Sequence, residues 1–383
     1  MNKGPSKRFI KVTTGISLAI VAISAITWIG LGQLFGAINT FDAFAGLGKR
    51  PDKPTSALNF LIVGSDSREG LSLADSKRLR VGTTKSAAGA RSDTMFIVHI
   101  SKDRTKAVLI SIPRDSLVTV PAHTSSDGKT QIAATHAKIN AAFAWGGAPL
   151  LIQTIEQKSN LHIDHYIEIN FVGFTNIVNA LGGIEVCSKV DINDPKSHLV
   201  MSAGVHTLDG IEALKYVRTR DFDGLGDIGR MQRQQQFMAS VLRKATSAGV
   251  LLNPVKLLNF FKAAISTVKT DSGLSQNDLL TLGQQMGKLS ANKVRTLTVP
   301  LSTANGSYPG LGSVVIWDAV KAPELFNRLI NDIPIYDVAT PSPSAKATNK
   351  ANKSGAKATP KPTIIEQFKV RTAAENPCGQ INY

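Results

Sequence analysis

Four arginines, Arg218, Arg220, Arg230 and Arg233, flank one glycine-rich acidic turn within the segment Tyr216–Gln236. Each carries a permanent charge and a forked set of donors that matches phosphate oxygens. The run Leu214–Thr219 predicts a strand, and alternation then sends Tyr216, Arg218 and Arg220 to one face. The run after the turn predicts a helix, with Asp227 as its N-cap. On that helix Arg230, Arg233, Gln234, Phe237 and Val241 share one stripe. The stripe begins in arginines and ends apolar, so it faces the protein interior. Arginines in a first helical turn oppose the macrodipole, which points to a bound anion there, phosphate above all. The competing assignment, a solvated basic face or ion pairs to Asp221 and Asp223, does not explain why the stripe continues into Phe237 and Val241.

Two carboxylates are expected at the same place. Asn59–Val63 predicts a buried strand that ends at Gly64-Ser-Asp-Ser-Arg68. Thr94–Ile100 and Lys106–Ile112, joined by the short polar Ser101–Thr105, predict a hairpin. With its turn centred between Asp103 and Arg104, Asp93 falls opposite Arg114, and Pro113 ends the ladder. If the first strand is parallel to Lys106–Ile112, Asp66 joins them at the carboxyl edge, where open α/β sheets bind ligands. Asp66 and Asp93 then suit a hard cation, Mg²⁺ or Mn²⁺, with phosphate oxygens as further ligands. Arginines around them suit phosphoryl rather than acyl transfer. Taken singly, turn chemistry accounts for Asp66 and a strand cap for Asp93; the arrival of Arg114 at the same edge joins them. His162 and His165 sit three apart in a strand-like run and face opposite sides, so they make a poor metal pair. His136 reads as a surface or packing residue, and a helix start accounts for Lys138 and Asn140. Walker A, Rossmann, EF-hand and G-x-S-x-G patterns are absent from the sequence.

These residues need a scaffold, and the chain has 383 residues, 43% hydrophobic and 19% charged, enough for one or two domains. Strands and helices alternate, which predicts an α/β fold with a mixed central sheet flanked by helices. Further helices are expected at 137–144, 149–159, 171–180, 253–268, 275–289 and 317–330, with strands at 165–169, 184–190 and 294–299. Residues 12–38 are apolar or small and uncharged, long enough to cross a hydrocarbon core of about 30 Å as a helix. Lys3, Lys7, Arg8 and Lys11 precede them, so residues 1–11 are expected in the cytoplasm and the rest outside the cell. A cleaved signal peptide ending at Ala43-Phe44-Ala45 is the alternative; the length of the apolar run favours a single-pass anchor. Residues 39–57 read as a linker, 58–336 as the extracellular domain, 337–362 as a basic low-complexity linker and 363–383 as a terminal segment. The net charge of +16 favours an anionic partner. An extracellular location makes nucleic acid the poorest candidate, leaving anionic lipid or polymer. Of the two cysteines, Cys187 and Cys378, an oxidising compartment predicts one disulfide closing a long loop; two unpaired thiols or a bond between chains are the alternatives.

The blocks Phe60–Arg68, Arg91–Met95, Ile110–Asp115, His136–Ala141, Val178–Val186, Gly204–Gly210 and Tyr216–Gln236, in that order, closely resemble the LytR-CpsA-Psr family of cell-wall glycopolymer ligases. Cys187 with Asn376-Pro-Cys378 is similar to actinobacterial members. The resemblance implies a membrane-anchored domain that binds a polyprenyl-pyrophosphate-linked glycan, with its lipid in an apolar pocket. It implies transfer of the glycan phosphate to the N-acetylmuramic acid 6-hydroxyl of peptidoglycan, at the cytoplasmic membrane and without nucleic acid as partner. Carried over by motif, Asp66 and Asp93 match metal carboxylates. Arg114, Arg218 and Arg220 match pyrophosphate-binding arginines, and Arg230, Arg233 and Gln234 the helix beside the phosphates. Arg68 and Arg91 fall within matching motifs. The stretch 71–89 is longer than the family minimum and reads as a lid or an insertion. A pyrophosphatase using water as acceptor, and a noncatalytic wall-glycan binding protein, are the alternatives.

Overall fold

A computed structural model describes residues 39–67, 73–79, 92–125, 127–220, 226–247, 268–286, 289–335 and 371–372. Its centre is an eight-stranded mixed sheet. In spatial order the strands are Asn39–Phe41, Val268–Asp271, His165–Ile169, Leu58–Ser65, Ser92–Ile100, Ala107–Ile112, Val294–Thr298 and Arg371–Thr372. Leu58–Ser65 pairs parallel with His165–Ile169 and antiparallel with Ser92–Ile100, which pairs antiparallel with Ala107–Ile112. Leu58–Ser65 and Ala107–Ile112 therefore run the same way, and both end at one edge. The hairpin register, Met95 opposite Ile112 and Ile100 opposite Ala107, is the one expected from a turn centred between Asp103 and Arg104. Asp103 secures that turn by accepting from Ser101 Oγ at 2.6 Å and from the Thr105 amide at 3.0 Å.

Alternation along the strands divides the core. Leu61, Val63, Met95, Ile97, Ile110 and Ile112 are buried on one face against the helices Ile139–Ser159 and Lys321–Ile330. On the other face Phe60 and Ile100 pack under Leu279 and Leu282 of the helix Gln276–Gln285. Ala107 and Val294 on that face meet Ala239 and Leu242 of the long helix Gly226–Ser247. The α/β layering follows: each sheet face is apolar and each is covered by helix. A second, smaller core around Ile184, Leu208, Leu214 and Tyr216 is built by residues 171–217 and receives Phe237 from the long helix.

Several sequence expectations are corrected. Leu214–Thr219 is not a strand. Gly210–Tyr216 is a helix whose N-cap Asp209 accepts from the Ile211 and Glu212 amides in a capping box, a local signal that outweighs alternation. The residues 39–57 are not a free linker. Asn39–Phe41 is a sheet strand, Ala43 is fully buried, and Arg50 Nη2 pairs with Glu156 at 2.6 Å. Residues 137–138 belong to the strand Thr135–Lys138, and the helix begins at Ile139. It breaks at Gly146–Gly147, where Gly147 takes φ 61°, which separates the two helical pieces expected from sequence. Gly312–Trp317 is the second strand of a hairpin with Leu301–Tyr308, so the last helix starts at Lys321 rather than Trp317. Cys187 is disulfide-bonded and buried. Cys378, the expected anchor 12–38, helix 253–268, Arg68, Arg91 and most of the stretch 71–89 lie outside the described residues. Among the described residues no helix is long and apolar enough to cross a membrane.

Candidate functional site

The carboxyl edge of the sheet is where the chemistry gathers. Asp66 follows directly on Leu58–Ser65, Asn170 on His165–Ile169, and Arg114 comes two residues after Ala107–Ile112. The adjacent antiparallel strand begins here too. Its register skips at this point, with Gly64 opposite Thr94 and Ser65 opposite Ser92, so Asp93 is the bulged residue facing the step that leads into Asp66. Bulges re-aim side chains at strand ends. Only the backbone of Asp93 is described. A Cβ added to Gly64 would meet Thr94 Cβ at 3.2 Å, so the two strands approach closely just beneath the carboxylates.

Above one face of this edge lies a cavity of about 350 Å³. Its wall includes Ile62, Phe96, Phe171, Phe174, Leu214 and Phe237, and its polar lining includes Asp66, Asn170, Lys196, Arg218, Arg220 and Arg230. Apolar wall and cationic groups together form a receptacle for an amphiphile with an anionic head. A second cavity of about 280 Å³ adjoins it, sharing Thr94, Arg230 and Gln234, and is lined also by Arg114, Asp115, Asn305 and Ser313. Arg230, which lines both, is only 7% exposed, as expected of the helix stripe.

The segment carrying Arg218 and Arg220 is irregular and is held from outside by side chains. Arg233 Nη2 donates to the Thr219 carbonyl at 2.7 Å, and Gln234 Nε2 to the Val217 carbonyl at 3.2 Å. Arg233 is 3% exposed, and its bond to Thr219 places it beneath the segment. Asp194, 1% exposed, accepts from the Arg220 amide and from the amides of Lys196 at 2.7 Å and Ser197 at 3.0 Å. Arg218 stacks over the Phe171 ring with its guanidinium carbon 5.5 Å from the centroid, a contact that orients a planar cation.

Arg114 enters from the other side. Its Nε lies 3.5 Å from Asp115 Oδ2, while Asp115 Oδ1 is 3.1 Å from Lys138 Nζ. The Arg114 carbonyl accepts from the Asn140 amide at 3.2 Å, and the Asp115 carbonyl from Val315 at 2.9 Å, which ties the Leu301–Trp317 hairpin to the arginine turn. Lys138 thus belongs near the site. The histidines do not: His162 Nδ1 donates to the Pro51 carbonyl at 2.9 Å and His165 Nδ1 lies 3.3 Å from Asp271. His136 is exposed, 5.5 Å from the Tyr308 ring. Among the described residues no group of three or more His, Cys, Asp or Glu could hold a metal.

Sequence reasoning missed Asn170, Lys196, Asp194 and the Leu301–Trp317 hairpin. Asn170 had a signal, a capping residue between strand and helix, and its side chain accepts from the Gly173 amide. For Asp194 the local bonds to Lys196 and Ser197 read as ordinary turn chemistry, and its link to Arg220, 26 positions away, left no local signal.

The chain is similar to known proteins in both sequence and fold. The cell wall biosynthesis protein LcpA of Corynebacterium glutamicum is 27% identical over 350 residues, covering 85% of this chain and 66% of its own length. The probable cell wall biosynthesis protein LcpB of the same organism is 39% identical over 275 residues, covering 72% of this chain and 61% of its own. The matches thus span under two thirds of these relatives. The crystal structure of Bacillus subtilis TagV superposes with a TM-score of 0.56 at 26% identity, covering 72% of this chain and 97% of that one. "TagT bound to LI-WTA" gives 0.54 at 26% identity, covering 78% and 99%. A LytR-Csp2A-Psr enzyme from Actinomyces oris, at 0.56 and 22% identity over 76% of this chain and 96% of that one, shows the same fold. Residues 39–329 match the LytR_cpsA_psr family, and the chain belongs to that family.

Proposed function

We propose that this protein is a membrane-anchored phosphotransferase. It moves a glycopolymer phosphate from a polyprenyl-pyrophosphate carrier to the N-acetylmuramic acid 6-hydroxyl of peptidoglycan. The observation that carries the reading is the apolar cavity with Arg218, Arg220, Arg230 and Asp66 in its lining. A polyprenyl tail fits the wall of phenylalanines, and the pyrophosphate fits the cationic groups. The activities for which relatives are named point the same way. Bacillus subtilis TagT, a polyisoprenyl-teichoic acid–peptidoglycan teichoic acid transferase, is 31% identical over 248 residues, covering 63% of this chain and 71% of its own length.

In this reading Arg218, Arg220 and Arg230 bind the pyrophosphate and, with Arg114, neutralise charge as the phosphoryl group transfers. Attack by a sugar hydroxyl asks for positioning and charge neutralisation rather than a covalent enzyme intermediate. Asp66 and Asp93, brought to one strand step by the bulge, would hold Mg²⁺ or Mn²⁺; two carboxylates and no soft donor suit such a hard cation. When bound, that ion supplies further charge neutralisation on the phosphate oxygens.

The test uses the full chain in detergent micelles with Mg²⁺, a polyprenyl-pyrophosphate oligosaccharide and peptidoglycan oligomers. Glycan on the muramic acid 6-position is expected, with a loss of about 10³-fold in Arg114→Ala and Arg220→Ala. Lipid phosphate released without glycan attachment would instead make the protein a pyrophosphatase. Substrate binding without turnover, unchanged in both variants, would make it a wall-glycan binding protein.

A further inference from the structure

In-line displacement at phosphorus needs the attacking and leaving oxygens on opposite sides of the reacting atom. Two adjoining cavities give the two groups separate places. The apolar one accounts for a lipid phosphate, and Arg230 and Gln234 stand between it and the second. Gln234 is held in place by its bond to the Val217 carbonyl, and Arg230 is anchored on the long helix. The second cavity differs in kind. Its lining includes Arg114, Asp115, Ser111, Asn305 and Ser313. Ser313 Oγ donates to Asn305 Oδ1 at 2.7 Å, which fixes the amide in one orientation. The Asn305 NH₂ makes no hydrogen bond to protein among the described residues. The hairpin carrying both residues is tied to the Arg114 turn by Val315 and by Trp317 Nε1, which donates to Ser116 Oγ at 2.9 Å. Exposed amide and hydroxyl groups on a hairpin beside an arginine are what a saccharide recognition surface requires.

We infer that the second cavity is the acceptor subsite and takes a muramyl sugar of peptidoglycan, with Asn305 and Ser313 binding its polar substituents. The inference rests on the phosphotransferase reading above and assigns its second substrate a place. The acceptor hydroxyl oxygen forms the new bond to the glycan-side phosphorus from this cavity. The bond from that phosphorus to the bridging oxygen breaks, and lipid monophosphate departs toward the apolar cavity with the electron pair. The hydroxyl proton passes to water. Asp115 is not cast as the base, because its carboxylate oxygens are engaged by Arg114 and Lys138.

The test pairs steady-state kinetics with direct binding, on the full chain in micelles, for Asn305→Ala and for Ser313→Phe, which fills the cavity. The KM for peptidoglycan oligomers is expected to rise at least tenfold while the KM for the lipid-linked donor stays within twofold. Calorimetric titration with a lipid-free disaccharide–peptide should lose affinity in parallel. A raised donor KM with an unmoved acceptor KM would overturn the inference, because the cavity would then hold the donor glycan. So would disaccharide binding indifferent to both substitutions. Were the wild type to transfer nothing, disaccharide binding weakened by these substitutions would still support the subsite while sinking the phosphotransferase reading.

Discussion

The two sides of the site are positioned by different physics. Asp66 and Arg114 stand at the ends of strands in the middle of an eight-stranded sheet, so a ladder of backbone hydrogen bonds fixes where their side chains start. Arg218 and Arg220 stand on irregular backbone. Their positions depend on side chains that reach in from elsewhere: Asp194, Arg233 and Gln234. A ladder distributes positional information over many weak bonds. A buried side chain concentrates it in a few, and charge-assisted ones at that.

The contrast makes sharp predictions. Asp194→Ala removes a carboxylate that accepts three backbone amides, one of them that of Arg220. Bonds to charged groups are each worth about 1.5–3 kcal/mol, so turnover should fall at least 100-fold and the melting temperature with it. Near-wild-type donor kinetics in this variant would break the comparison, and Asp194→Asn should restore part of the loss. Next comes Gly210→Ala, where the small core that carries the arginine segment meets the helix Phe171–Ala180. The new Cβ would lie 2.4 Å from the Thr175 carbonyl oxygen, and overpacking against backbone costs about 3 kcal/mol, measurable by urea titration. Arg233→Lys should follow. Lysine keeps the charge but cannot reproduce the guanidinium fork. The donor KM should rise about tenfold with less change in overall stability, since one positioning bond of about 1.4 kcal/mol is at stake.

On the sheet side, Asp103→Asn should do least. Its carboxyl is held down to about 2 from 3.8 by the Ser101 hydroxyl and then by the Thr105 amide. A depressed carboxylate stabilises the fold above its unfolded pKa and loses that contribution as pH falls through the folded value. The variant should therefore be slightly less stable than wild type at pH 7, and the gap should close as pH drops from 3.8 toward 2. Denaturant midpoints across that range would reveal it. A loss of register and of activity, rather than a small stability change, would mean that this turn does more than staple two strands already held by their ladder.

What was legible in the sequence follows the same division. The hairpin register, Met95 opposite Ile112, could be read from one turn, because antiparallel pairing fixes every later partner. The buried stripe of Arg230, Arg233 and Phe237 could be read from helical period. Leu214–Thr219 misled because alternation over six residues is a weak signal beside Asp209 and Glu212 in a capping box. The roles of Asp194 and of the hairpin bearing Asn305 were hidden, since both act across long sequence separations that no local pattern encodes. Arg233 was found by its period, and the structure adds that it donates to the Thr219 carbonyl. Period shows that a side chain points inward without showing whether it meets a ligand or a carbonyl.

The short strand Asn39–Phe41 runs antiparallel to Leu58–Ser65, as its pairing through Val268–Asp271 and His165–Ile169 dictates. It enters the sheet on the side where Asp66 lies and runs away from it. The described chain therefore starts at the edge that bears the arginines. Under the membrane-anchored reading proposed above, encounter with a donor dissolved in the same membrane is a search over a plane rather than a volume. The relevant quantity is then a local surface density, and a high effective concentration replaces tight binding as the means of capture.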